Sequence, residues 1–494
     1  MIELLTPQEM SRADALAMEN GPDDGGGLMR RAGATVVDEV LARFAEAPGF
    51  DILCGPGNNG GDGYVVADLL GERGLDVAVW RLAAPRAGSD CEAMAARCRA
   101  ENSPLEDYRP VPGRIAIDAL FGAGLSKPIE GTAAQALGKL RNAGVRVVAV
   151  DMPSGVSGAT GQVLGIAAPA VLTVTFFRRK PGHLLYPGRA LCGETVVADI
   201  GIDAGVLDEI APRCFVNDPA LWRAQWPVME PDLHKYRRGH VGVFSGGPMA
   251  TGAARLSARA AARIGAGAVT LLSPGAALAI NAMHLTSIML RRVEGEQELL
   301  QFHEERNPKA YVLGPGFGVG EQTRRFAELV LEAQQSAGLV LDADAITAFA
   351  GNPQRLADAA SKRRGDLFLT PHVGEFSRLF PELGGNDDLS KLDRAREAAA
   401  RMNAVIVFKG PDTVIAAPDG RAAINANAGP HLATAGSGDV LAGMIAGLCA
   451  QGMSGFEAAS AAVYLHGETG NCCGAGLIAE DLPERLPQIL RDNF

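Results

Sequence analysis

The chain has 494 residues, 47% of them hydrophobic and only 5% aromatic, with a formal net charge of -11. That length exceeds what one hydrophobic core organises, so two domains are expected. The acidic balance excludes a broad nucleic-acid footprint, which needs a concentrated basic patch, although phosphates can still be held by helix N-termini and backbone amides.

In chain order, Thr6 caps a predicted helix in LTPQEMSRADALAMENG, and a second helix covers LMRRAGATVVDEVLARFAEA. This N-terminus has no apolar run of signal-peptide length, and no later segment reaches the roughly 18 apolar residues of a membrane span. FDILC is a strand running into a glycine turn, and DGYVVADLLGERG is the helix after it. DVAVWRLAA, RIAIDALFG, RVVAVDMPSG and AVLTVTFF are further strands. Apolar strands alternating with helices predict a parallel sheet covered on both faces. Residues 212–233 contain repeated prolines and no sustained period, so they read as a linker between a domain at 1–211 and another at 234–494. Strands then recur at HVGVF, AVTLLSP, AYVLGPGFG, GLVLDADA, DLFLTPHVGE, AVIVFKGPDTVIAAPDG and RAAINANAG, with helices at GAARLSARAAARIGAG, SGDVLAGMIAGLCAQG and FEAASAAVYLHGETGN. The PDG turn predicts an antiparallel margin on this second sheet. The expected fold class is therefore α/β, as two three-layer α/β/α domains.

The eight cysteines form no CxxC pair and no spaced metal frame. They read as reduced thiols of a cytoplasmic protein.

In the first half, CGPGNNGGDGYVVADLL follows a strand and opens a helix, where an α/β sheet offers its ligand crevice. It is not the GxGxxG dinucleotide fingerprint, because Asn58, Asn59 and Asp62 bring amides and a carboxylate into the loop. Asp118 and Asp151 stand at the ends of two more strands, so Asn59, Asp118, Asp151 and Ser154 are expected to share one cleft. Such an oxygen set suits a hard cation, and one carboxylate can instead move a proton.

In the second half, ATAGSGDVLAGMIAGL frees the backbone at a helix N-terminus, where N–H groups receive phosphate oxygens. Asp439 follows, and an acid beside an anion hole suits removal of a proton from a hydroxyl attacking phosphorus. A helix-start acid favoured by the dipole is the plainer alternative. LGPGFG, LDADA, LTPHVGE and FKGPDTVI add loops to the same crevice. No Walker A motif is present.

These segments carry a resemblance to a family. GPGNNGGDG, IDALFGAGLSKP, VDMPSGVSGATG and Lys180-Pro181-Gly182 resemble the Rossmann-like NAD(P)HX epimerase domain. The resemblance implies that Asn59, Asp118 and Ser154 bind a potassium ion. It implies that Asn58, Asn59, Gly60, Gly61 and Asp62, then Gly122, Ala123, Gly124, Leu125, Ser126, Lys127 and Pro128, with Asp151, line the substrate. Asp118 or Asp151 is expected to take part in proton movement. The second-half set resembles the ribokinase-like, ADP-dependent (S)-NAD(P)H-hydrate dehydratase domain, from His234 to the C-terminus. There the resemblance implies that Ala253, Gly316, His372 and Asp439 meet the hydrated dinucleotide. Lys409, Gly410, Pro411, Asp412, Thr413 and Gly438 would hold the adenine nucleotide, with Asp439 as the catalytic base. Implied with these are NADHX or NADPHX as substrates, magnesium with ADP, and a homo-oligomer with neither nucleic acid nor membrane as partner.

Together the chain is similar to bifunctional NAD(P)H-hydrate repair enzymes, which interconvert the R and S hydrates at C6 of the nicotinamide ring and dehydrate the S form. Three departures stand out: VSGATG replaces an acidic D-x-D-T-G-like run, Pro248 and Met249 follow the glycines of GHVGVFSGG, and Ser437 replaces the usual Thr. Two other functions share parts of this pattern. A sugar or vitamin kinase shares the hydroxyl-activating Asp but leaves a stable phosphorylated product. A non-catalytic binding protein binds dinucleotide without changing the R to S ratio.

Overall fold

In a computed structural model, the chain is described at residues 2–21, 24–228, 235, 237–333, 337–361 and 365–494. His234 and the domain boundary expected before it lie outside these residues. The chain divides into two units, the first essentially Glu3–Cys214 and the second Phe215–Phe494.

The first unit holds a seven-stranded sheet. Its strands are β1 (Phe50–Cys54), β2 (Val77–Arg81), β3 (Glu101–Pro104), β4 (Ile115–Ala119), β5 (Val147–Val150), β6 (Leu172–Phe176) and β7 (Glu194–Ala198). They are parallel and lie in the order β3-β2-β1-β4-β5-β6-β7. Side chains alternate between two cores: Phe50, Ile52 and Cys54 enter one, while Leu53 enters the other with Ala116 and Ala149. Burial on both faces explains the nearly continuous apolar strands. The strand order reverses between β1 and β4, and ligands of such sheets bind in the crevice at that switch point. Helix α1 (Pro7–Asn20) starts at Thr6, which accepts from the Glu9 amide in a capping box, as its sequence predicts. Helices α2 (Gly25–Phe44) and α3 (Asn58–Glu72) follow, and α3 begins directly after the glycine turn.

The second unit is built on a ten-stranded sheet. Its strands are β8 (Cys214–Val216), β9 (His240–Phe244), β10 (Ala268–Ser273), β11 (Met289–Arg292), β12 (Ala310–Leu313), β13 (Gly338–Leu341), β14 (Leu367–Leu369), β15 (Val405–Phe408), β16 (Val414–Ala416) and β17 (Ala422–Ile424). The order is β11-β10-β9-β12-β13-β14-β15-β16-β17-β8. From β11 to β15 it is parallel, and β15-β16-β17 form the antiparallel margin that the PDG turn predicts. The segment read as a linker is not uniformly irregular. It contributes the edge strand β8, a helical turn at Pro219–Trp222 and a buried Trp222 side chain. Among the described residues, no helix is long and apolar enough to cross a membrane.

Candidate active sites

In the first unit the crevice at the β1/β4 switch point is a cleft of about 350 Å³. Its lining includes Asn58, Asn59 and Asp62 from the start of α3, Gly122, Ala123 and Gly124 after β4, and Asp151 after β5. The glycine turn is needed on steric grounds: a Cβ at Gly60 would sit 1.8 Å from the Gly55 carbonyl oxygen. Leu125 to Pro128 continue from this rim without joining the lining, and Ser126, Lys127 and Pro128 are exposed.

Asp151 is held from several sides. Its Oδ2 accepts from the Ala123 amide at 2.9 Å, and its Oδ1 accepts from Thr175 Oγ1 at 2.9 Å and Lys180 Nζ at 2.7 Å. Its backbone is left-handed, with φ 63, a geometry that Asp tolerates better than most residues. The Asp151 carbonyl also accepts from Nε2 of buried His183, whose Nδ1 in turn accepts from the Lys180 amide. Burial opposes ionisation of Asp151, but Lys180 overrides it and brings the carboxyl down to about 2. Burial lowers His183 to about 4, so its ring is neutral near pH 7.

Asp118 and Ser154 lie beneath this surface, both 0% exposed. Asp118 accepts from the Ser154 amide at 2.8 Å, the Ser154 hydroxyl at 2.6 Å and the Leu120 amide at 3.3 Å. Burial raises its carboxyl and the Ser154 hydrogen bonds oppose the rise. On the cleft lining, the buried Nδ2 of Asn59 has no hydrogen-bond partner. The cleft also contains residues to which the sequence assigned no role, notably Asp14 from α1 and Lys180, which is 2% exposed. Asp14 sits in a helix whose polar residues read as a solvated face, so no sequence signal separates it from them.

The second site forms where the Ser437–Ala450 helix begins. Gly436 is its N-cap at φ 87, a conformation that favours glycine. The first-turn amides, including those of Gly438 and Asp439, precede the helical ladder and are available to an anion. A Cβ at Gly438 would lie 3.2 Å from Lys409 Nζ and 3.7 Å from Asp342 Oδ2, which places those groups against the turn. Lys409 Nζ donates to Asp342 Oδ1 at 2.8 Å, and Thr370 Oγ1 donates to the same oxygen at 2.8 Å. Burial pushes the Asp439 carboxyl up to about 6, with Asp342 and Asp344 adding to the rise and Lys409 opposing it. Ser437 Oγ lies 3.1 Å from Nε2 of buried His466, whose ring burial lowers to about 4.

The remaining predicted residues frame this turn. Ala253 and Gly316 are adjacent, since a Cβ on Gly316 would lie 3.7 Å from that of Ala253. His372 caps the Val373–Leu379 helix, its Nδ1 accepting from the Gly374 and Glu375 amides, and its side chain stays 56% exposed. The Lys409–Thr413 loop is closed by Thr413 Oγ1, which accepts from the Gly410 amide and donates to the Gly410 carbonyl. The Asp412 carboxylate pairs with Lys391 Nζ at 2.6 Å. Lys391 is a residue that the sequence does not single out. Burial lowers its ammonium and Asp412 opposes the effect.

Two family models match the chain: one described as NAD(P)H-hydrate dehydratase over residues 241–491, the other as YjeF-related protein N-terminus over residues 25–182. The chain is 35% identical to the bifunctional NAD(P)H-hydrate repair enzyme Nnr of Thermofilum pendens, across 94% of this chain and 91% of that protein. It is 35% identical to the enzyme of the same name from Moorella thermoacetica, across 99% and 97%. Among solved structures, the ADP/ATP-dependent NAD(P)H-hydrate dehydratase from Bacillus subtilis, co-crystallized with ATP/Mg2+, superposes with a TM-score of 0.50 at 29% identity, covering 56% of this chain and 98% of that one. With one α/β unit under each family model and near full-length relatives, the chain belongs to the family of bifunctional NAD(P)H-hydrate repair enzymes.

Proposed function

We propose that the first unit epimerises the R and S forms of NADHX and NADPHX at C6 of the nicotinamide ring, and that the second dehydrates the S form at the expense of ADP. The turn at Gly436–Asp439 carries the dehydratase assignment. It sets free helix amides, a carboxyl near neutrality and the Lys409–Asp342 pair around one point. Asp439 takes the proton of the C6 hydroxyl as its oxygen attacks the terminal phosphorus of ADP, releasing AMP. The C6–O bond then breaks with phosphate as leaving group, the N1 lone pair assists, and loss of a proton from C5 restores the dihydronicotinamide. The Lys409–Thr413 loop and Gly438 hold the nucleotide, while Ala253, Gly316 and His372 hold the hydrated dinucleotide.

Magnesium suits this turn. Asp342 and Asp344 add to the charge cost of Asp439, and Lys409 opposes them. Asp342, with the nucleotide's own oxygens, would hold the ion, which would neutralise charge on the transferred phosphoryl group.

Potassium fits the first unit on the same kind of evidence. Among the described residues, no ion pair reaches the fully buried Asp118, and the Ser154 hydroxyl beside it also meets the Phe121 carbonyl oxygen. Asn59, Asp118 and Ser154 would hold the ion, supplying the missing counter-charge. No group of three His, Cys, Asp or Glu that could hold a metal occurs among the described residues, but this set contains only one such residue. Asp151, fixed by Lys180, orients the substrate.

The eight free cysteines support a cytoplasmic setting, and membership in this family supports a homo-oligomer, which light scattering tests. The deciding experiment is recovery of nicotinamide absorbance from mixed R and S hydrates with ADP and magnesium, for the intact chain and Asp439→Asn. Full recovery by the intact chain and none by the variant is expected. Recovery of the S fraction alone would leave the first unit a binding module, and a stable phosphorylated product would point to a kinase.

A further inference from the structure

Five carboxyl groups gather at or beneath the first-unit cleft: Asp14, Asp62, Asp90, Asp118 and Asp151. They differ in what already holds them. Asp118 is sealed from the cleft and takes three donors, and Asp151 takes three donors including Lys180. Among the described residues, Asp14, Asp62 and Asp90 have neither a hydrogen bond nor an ion pair though all three line the cleft, and of these Asp90 is exposed while Asp14 and Asp62 are half-buried. A carboxylate locked by an ammonium is a poor base, whereas an unengaged one is free to meet a ligand.

Asp14 is also presented by its helix. Met10, Asp14 and Met18 stand at i, i+4 and i+8 of α1, on one face, and all three line the cleft. An acid flanked by two methionines suits an apolar ring edge that carries a hydroxyl, which is what the C6 side of a hydrated nicotinamide offers.

We propose that Asp14 is a catalytic residue of the epimerisation, exchanging a proton with the C6 oxygen of the hydrated nicotinamide in partnership with Asp62. This rests on the assignment of the first unit as the epimerase. One carboxyl, protonated, gives its proton to the C6 hydroxyl. The C6–O bond breaks, water leaves, and the N1 lone pair forms a C6=N1 double bond. A water then adds to the opposite face of C6 and loses its proton to the other carboxylate, and the double-bond pair returns to N1. One water leaves and one enters, and the proton moved between the two carboxyls is returned through solvent. Burial supports a proton-sharing pair: it pushes Asp14 up to about 6 and raises Asp62 well above the ordinary carboxylate range.

The test uses the full chain and purified R-NADHX without ADP, separating R and S hydrates by chromatography. Asp14→Asn is expected to slow epimerisation by about 100-fold or more, the scale of general acid–base catalysis. Binding of R-NADHX should change by no more than about threefold, since the loss falls on the transition state. Asp14→Glu should recover part of the rate, and Asp14→Ser, a second variant should the Asn form misfold, should match Asp14→Asn. With ADP added, all three should dehydrate S-NADHX at the intact rate. Epimerisation by Asp14→Asn or Asp14→Ser within about threefold of the intact chain would overturn the proposal while leaving the epimerase assignment standing. An intact chain that does not exceed spontaneous epimerisation would overturn both.

Discussion

Lys180 Nζ lies 2.7 Å from Asp151 Oδ1, in a pair whose lysine is almost fully buried and whose aspartate has a left-handed backbone. Removing one partner of a buried pair leaves an uncompensated charge, at about 3–5 kcal/mol. Lys180→Met is therefore expected to destabilise the first unit by that order and to lift the Asp151 carboxyl from about 2. Because the folded carboxyl lies below its unfolded value, the pair stabilises fully above the ordinary Asp range and loses that contribution as pH falls toward about 2. Hydrogen exchange of peptides spanning residues 147–176 reads the effect: protection should drop in the variant at neutral pH, and unchanged protection would contradict it.

Asp439 titrates in the opposite sense. Its carboxyl is raised to about 6, so the base form accumulates only above that pH. The dehydratase kcat/KM should fall tenfold per pH unit below about 6, because this parameter reports the free enzyme. Asp439→Asn should lower the rate by about 100-fold or more and abolish that acid limb. A limb that persists in the variant would assign the titration to another group.

The central strands and both glycine turns were legible because they are buried on both faces or must admit close backbone. β1, β4 and β5 are apolar but for Asp51 and Asp118, and buried along their whole length. The edge strands were not legible. β3 (ENSP), β7 (ETVVA) and β11 (MLRR) are half-covered at best, so neither a continuous nor an alternating apolar pattern marks them. Site residues divide the same way. Asn58 to Asp62 and Gly436 to Asp439 announce themselves by spacing within one loop. Asp14, Lys391 and His183 take their environments from residues distant in sequence, Lys180 for the first, Asp412 for the second and Asp151 for the third.

Two buried histidines predict how the whole chain responds to acid. Burial depresses His183 and His466 to about 4, and Nε2 of each ring meets a backbone carbonyl oxygen. An unfolded histidine, with an ordinary value of about 6.5, binds its proton first, so stability falls as pH drops from about 6.5 to about 4. Urea midpoints at pH 7 and pH 5 should show that loss. His466→Gln, which keeps a hydrogen-bonding side chain without a titrating ring, should reduce it; an equal loss in the variant would remove His466 from the account.

Asp118 makes the potassium assignment testable apart from turnover. Its carboxylate is buried with hydrogen-bond donors and, among the described residues, no cationic partner. A bound monovalent cation would relieve that charge, so potassium should stabilise the folded chain by RT ln(1 + [K+]/Kd), about 1–3 kcal/mol at 10- to 100-fold over Kd. Melting in potassium chloride should exceed melting in choline chloride at equal ionic strength. Asp118→Asn removes the charge while preserving shape, so it should melt equally in the two salts and epimerise without a potassium requirement or not at all. If the intact chain melts alike in both salts, the buried carboxylate must be satisfied by Ser154 and Leu120 alone, and the epimerase proceeds without the ion.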